Sequence, residues 1–273
     1  VVLSPIHHNV SDLKRCDDLY SFGMRKVLTM FIQDQFLRDT VKILYKSFKE
    51  PNRIPGLLRG IVFGLYNMHK ETLKNSDIIL VQTNQEHVDL EETYKLKLNS
   101  RIVPNGVSEV FTKYAAATSE INLEINNYFV CVGRIEPRKN QLSLIQAFKK
   151  FRENNSDANL LLIGRFNPNH NQYNSLIRNE IENNEWLHYK EQINQEQLAD
   201  YYSRSIACVS VSWYETTGLT LLEALFCGTR IIASGSRERE IFKDLAIYCS
   251  PEDIDSIVLA LNNAHQSGNV AIP

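Results

Sequence analysis

The sequence predicts an α/β protein built as two Rossmann-like, doubly wound halves. Three observations carry this reading. From about residue 128 onward, short apolar runs rich in β-branched residues alternate with helical patterns, as buried parallel strands and their crossover helices do. Gly133, Gly164, Gly218, Gly228 and Gly235 all fall at predicted strand or helix ends. The chain has 273 residues, 43% hydrophobic and 23% charged, which is ordinary globular composition and length enough for two domains.

The first half spans 1–113. Its elements are a strand over 1–6, helical stretches near 21–48 and 56–75, a strand over 78–83, a helix over 85–97 and a strand over 101–103. Residues 114–127 open on the small, polar run Tyr114-Ala-Ala-Ala-Thr-Ser119 and read as a linker. The second half spans 128–273. Tyr128-Phe-Val-Cys-Val-Gly133 is a buried-strand pattern that runs into Arg134-Ile-Glu-Pro-Arg-Lys139-Asn140. An amphipathic helix follows, with Leu142, Ile145, Phe148 and Phe151 on one face. Asn159-Leu-Leu-Leu-Ile-Gly164 and Ile206-Ala-Cys-Val-Ser-Val-Ser212 are further strands. A helix from Gly218 to Phe226 closes on Cys227-Gly228, and a last helix covers 253–265.

Two loops concentrate chemistry. Arg134 and Lys139 lie five residues apart between a strand and a helix start, where a diphosphate finds both charge and backbone donors. Glu215 lies on the loop leaving the strand 206–212, and Glu223 projects from the second turn of the following, otherwise almost uncharged helix. A carboxylate there is costly to bury without a partner. In open α/β sheets ligands bind at this edge.

Together these segments resemble the donor-binding half of the family 4 (group 1) glycosyltransferases, which have the GT-B fold. The carriers are Gly133-Arg134, Lys139-Asn140, then Glu215, Gly218-Leu219 and Glu223, with 159–164 and 197–202 in the family's order and Pro104-Asn105-Gly106-Val107 at its interdomain turn. The resemblance implies two Rossmann-like domains facing across a cleft. It implies a retaining enzyme that needs no metal or other cofactor. Arg134 and Lys139 neutralise the donor diphosphate, aided by the backbone at Gly133, Gly218 and Leu219. Glu223 accepts from the ribose hydroxyls. Glu215 and its neighbour Thr217 contact the donor sugar, and Glu215 steadies positive charge at the anomeric carbon. The base lies against the loop 190–193, with Ile193 lining it. A His of the first domain reaches the sugar, which His7 fits best by register and His8 next. The donor is a nucleotide-diphosphate sugar, UDP-linked favoured and GDP-linked the alternative, and the acceptor a glycan or lipid-linked glycan of surface polysaccharide such as O-antigen. The chain starts at what reads as a later strand of the family's first domain, so that domain is expected to be incomplete and the chain truncated at both ends.

Composition narrows the setting. No run of 18 apolar residues exists and the N-terminus lacks a basic leader, which suits a cytoplasmic protein. The five cysteines are odd in number and widely spaced, as reduced core-fillers are. No His/Cys cluster stands at metal-ligand spacing. Between 22 and 60, eight Lys/Arg face three acids, interleaved with aromatic residues, in a chain of net charge −2. That stretch suits the anionic inner face of a membrane better than nucleic acid, for which no motif is present. Two other readings stay open: a non-catalytic nucleotide-sugar-binding module and a GT-B nucleotide-sugar epimerase.

Overall fold

The computed structural model describes residues 1–4, 10–21, 24–49, 63–114 and 125–266. They form two compact units, Val1–Pro104 and Asn105–Pro273. The division falls ahead of the stretch 114–127. The short helix Glu109–Thr112 accounts for this: its Phe111 is fully buried in the second unit's core. Most of 114–127 lies outside the described residues.

The second unit carries the site. Its six strands are β4 (Tyr128–Val132), β5 (Asn159–Ile163), β6 (Leu187–Lys190), β7 (Ala207–Val209), β8 (Ile231–Ala233) and β9 (Ala246–Tyr248). All pair in parallel, in the order β6-β5-β4-β7-β8-β9. The chain therefore winds outward from β4 in one direction, returns to β4's other side at β7, and winds outward again. The loops leaving β4 and β7 diverge to opposite faces, which makes their carboxyl ends the topological switch point of the sheet. Apolar runs explain the strands: Phe129, Val130, Leu160, Leu161, Leu162 and Ile231 have essentially no exposed surface. The helix Gln141–Arg152 lays Leu144, Ile145, Phe148 and Phe151 on the sheet, and both phenylalanine rings meet Phe129 edge-on at 5.6 and 5.5 Å. All five cysteines are free and buried, as the sequence suggested.

Gly133 and Gly164 end β4 and β5 side by side, both with φ of +148°. A Cβ on Gly164 would lie 2.0 Å from the Gly133 carbonyl oxygen, a backbone atom that cannot turn aside. Gly164→Ala is thus expected to cost at least about 3 kcal/mol, by forcing the two strand ends apart at the switch point. Chemical denaturation checks it; wild-type stability would show that the strand ends give way freely.

In the first unit, β1 (Val2–Leu3), β2 (Ile78–Val81) and β3 (Ser100–Ile102) pair in parallel in that order over a core of Leu73, Ile79, Val81, Leu90 and Tyr94. Two features differ from expectation. A helix, Val10–Tyr20, precedes the helices Met24–Phe31 and Gln35–Lys49; its apolar face is too sparse to stand out by periodicity. The basic stretch is also not all available to a membrane face. Arg38 is 3% exposed and bonds Asp18 at 2.8 Å and the Thr29 carbonyl at 2.7 Å, while Phe36 packs against the core. Residues 22, 23 and 50–60 of that stretch lie outside the described residues. Among the described residues no helix is long and apolar enough to cross a membrane.

Candidate functional site

The site grows from the two loops at the switch point. After β4 the chain passes Gly133 and Arg134, tightens into a 3₁₀ turn at Pro137–Lys139, and enters the helix Gln141–Arg152 through Asn140, whose φ is +57°. Asn140 tolerates that left-handed conformation better than a branched residue. After β7 the chain runs through Trp213 and Glu215 to Gly218, also left-handed at φ +67°, and then the helix Leu219–Phe226. The Trp213 amide donates to the Arg138 carbonyl at 2.9 Å, which ties one loop to the other.

Three charges converge across this tie. Lys139 Nζ pairs with Glu215 Oε1, and Arg138 Nη1 lies 3.2 Å from Glu215 Oε2. The Glu215 side chain is only 10% exposed. Burial pushes its carboxyl up, but the Lys139 and Arg138 charges outweigh burial and hold it below the ordinary carboxylate range. Arg138 is itself fixed, by Glu136 Oε1 at 3.1 Å, by the Tyr214 carbonyl at 3.2 Å and by the Tyr214 ring at 5.5 Å. Glu136 in turn accepts from Asn167 Nδ2 at 2.7 Å. Gly133 makes room for the lysine: a Cβ there would meet Lys139 Cε at 3.2 Å.

The other residues singled out by sequence fall around this cluster in different ways. Arg134 is exposed and makes no ion pair among the described residues, and its carbonyl accepts from Gln141. Thr217 is 2% exposed and accepts from Asn105 Nδ2 at 3.1 Å, so Asn105 braces the Glu215 loop within the second unit. Leu219 is partly exposed at the first turn of its helix. Glu223 is half-buried, and Tyr202 donates to its Oε2 at 3.2 Å. Burial raises its carboxyl above the ordinary range, with the Tyr202 hydrogen bond working the other way. Ile193 packs against the second unit's core just beyond β6. His7 and His8 lie outside the described residues.

Sequence reasoning missed two charged residues. Arg138 was overlooked beside Lys139, although the Arg-Lys pair stands in the same loop. Glu238 is fully buried in the first turn of the helix Ser236–Phe242. Its Oε2 accepts from the amides of Ser234 and Gly235 at 3.2 and 2.5 Å, and its Oε1 has no partner among the described residues. A Cβ on Gly218 would lie 2.9 Å from that Oε1, so glycine is required there on two counts. Burial first, then the Glu215 charge, raises the Glu238 carboxyl to about 7. A carboxyl held above its unfolded value costs stability as pH rises between the two, because the folded protein still holds a proton that unfolding releases, and rising pH favours that release. Relative to Glu238→Gln, the wild type should therefore lose up to roughly 3 kcal/mol between pH 4.5 and 8. Urea unfolding of both proteins at pH 5 and 8 measures it; a difference that does not change with pH would refute the assignment.

No group of three or more His, Cys, Asp or Glu among the described residues is arranged to hold a metal. An Asp-x-Asp tripeptide does occur, Asp253-Ile254-Asp255, but it is engaged in structure. Asp253 Oδ1 accepts from the amides of Asp255 and Ser256 at the start of the helix Ile254–Gln266, and Asp255 pairs with Lys150 at 2.9 Å.

Known proteins are similar to this chain in sequence and fold. The family of glycosyl transferases group 1 matches residues 118–270. The serotype-specific mannosyltransferase WbdA of Escherichia coli is 29% identical over 53% of this chain and 16% of its own length. The O-antigen chain mannosyltransferase B of Escherichia coli is 28% identical over 60% of this chain and 42% of its own. The chain thus spans less than half the length of either relative. Among solved structures, sucrose-phosphate synthase from Thermosynechococcus elongatus aligns with a TM-score of 0.62 and 27% identity, over 72% of this chain and 51% of that one. The fold class is GT-B. With more than half of its residues matched, this chain belongs to the group 1 glycosyl transferases.

Proposed function

We propose that this chain binds a nucleotide-diphosphate sugar and takes part in retaining, metal-independent transfer of its hexose or N-acetylhexosamine. The acceptor in this reading is a glycan or lipid-linked glycan of surface polysaccharide. The observation that supports it best is the Lys139–Glu215–Arg138 cluster at the sheet's switch point. Lys139 there suits a leaving diphosphate, and a buried, ionised carboxylate held also by Arg138 suits positive charge at an anomeric carbon. The amides at Gly218 and Leu219 open a helix and add donors for the phosphates. Arg134 remains available to the diphosphate, and Glu223 to the ribose. Two relatives are named mannosyltransferases, which makes mannose the first sugar to test, on both uridine and guanosine carriers. Docking on an anionic cytoplasmic membrane face fits the exposed Val27, Met30 and Phe31 beside Lys26.

A thermal-shift screen against UDP, GDP, ADP and their sugars tests the donor, followed by transfer assays with and without EDTA. One nucleoside diphosphate at 100 times its Kd should add about 2.7 kcal/mol of stability, and transfer should persist in EDTA. Binding without transfer would turn the reading toward a binding module, and epimerised sugar toward an epimerase. Absence of any nucleotide effect would overturn all three.

A further inference from the structure

Lys139 and Glu215 are assigned to different parts of the donor, yet in this structure they are paired with each other. A lysine that turns to a diphosphate must leave Glu215 Oε1, and a carboxylate as buried as Glu215 then loses much of what keeps it charged. Arg138 meets the other oxygen. Its guanidinium cannot give up its proton, and its fork engages Glu215, Glu136 and the Tyr214 carbonyl together. The Tyr214 ring and the Trp213 amide hold the same residue from two more sides. Lys139, on a flexible stem over Gly133, has among the described residues no such brace beyond Glu215 itself.

We infer that Arg138 is a positioning residue: it keeps Glu215 paired and in place when Lys139 turns from that carboxylate to the donor diphosphate. This rests on the donor reading above. The two neighbouring cations thereby divide the work, one mobile and one fixed. The arrangement also explains why two cations meet the one carboxylate of Glu215. Other groups facing Glu215 do not substitute for Arg138. Glu238, from the helix Ser236–Phe242, is of like charge; Cys131, on β4, is held neutral by burial; Ser212, on the same loop, offers one hydroxyl.

The test compares wild type, Arg138→Ala and Arg138→Lys by calorimetry with UDP or GDP, in buffers of different ionisation enthalpy near pH 6, and by the pH profile of kcat. The nucleotide's own proton exchange is common to all three proteins and cancels. Arg138→Ala should bind the nucleotide within about 3-fold of wild type but take up an extra fraction of a proton as Lys139 leaves Glu215. Its kcat should fall roughly 10- to 100-fold, with the acidic limb moved to higher pH. Arg138→Lys keeps the charge and should restore the limb while recovering kcat only in part. Unchanged proton uptake and an unmoved limb would reduce Arg138 to a scaffold residue and overturn the inference. Affinity lost as in a Lys139 variant would make Arg138 a phosphate ligand instead, and overturn it too. A wild type that binds neither nucleotide overturns the donor reading first, and this inference with it.

Discussion

Lys139→Ala is expected to weaken nucleoside diphosphate binding by roughly 10²-fold or more, about 2.7 kcal/mol, and to abolish measurable transfer. Lys139 is the charge best placed to reach a diphosphate over the end of β4, since Gly133 beneath it carries no side chain. The side chain is 14% exposed, so its charge acts where water screens weakly. Part of the wild-type affinity is spent on separating Lys139 from Glu215. The loss on truncation is therefore smaller than the full strength of a buried ion–phosphate contact. The fold should survive, because the turn Pro137–Lys139 is held by backbone bonds and by Arg138 rather than by the lysine head group. Titration calorimetry with UDP and GDP, alongside circular dichroism, reads both parts. Wild-type affinity in a folded Lys139→Ala protein would remove the phosphate site from this loop. Arg134→Ala, which takes away an exposed charge outside the cluster, should act in the same direction but less.

Much of the second unit was legible because buried parallel strands leave a plain signal. The runs at 128–133 and 159–164 are nearly uninterrupted apolar sequence, and the strands end within a residue of those limits. The glutamates could be placed because each follows a recognisable strand or helix start. What could not be read is pairing across distance. Arg138 and Lys139 are neighbours in sequence, but the 3₁₀ turn sends both to the same carboxylate, 77 and 76 residues away, and no local period encodes that. Glu238 was hidden for a similar reason. Gly235-Ser236-Arg237-Glu238 reads as an ordinary helix cap, and only the sheet order brings it under Gly218. In the first unit, surface and core were confused at Arg38. A cation in an amphipathic stretch reads as solvated, yet three acceptors on neighbouring segments bury it.

The two glutamates should separate in kinetics. Glu215→Gln is expected to lower kcat roughly 10²-fold or more, about 2.7 kcal/mol of barrier, with nucleoside diphosphate affinity nearly intact. Glu215 is buried, ionised well below neutral pH and held at both oxygens, so it presents a fixed negative charge that need not reorganise when positive charge develops on the sugar. Glutamine keeps the shape and removes the charge. Glu223→Gln should instead raise donor KM several-fold with little change in kcat, because hydrogen bonds to a ribose are the same in ground and transition states. The environment agrees with that division: among the described residues Glu223 has a tyrosine hydroxyl for a partner and no cation, and burial raises its carboxyl rather than lowering it. Steady-state kinetics at saturating acceptor, with calorimetry on both variants, measure the split. Equal kcat losses, or a Glu215→Gln protein that fails only in binding, would mean that the carboxylate tied to Lys139 and Arg138 serves the donor's ground state, and that charge stabilisation comes from elsewhere.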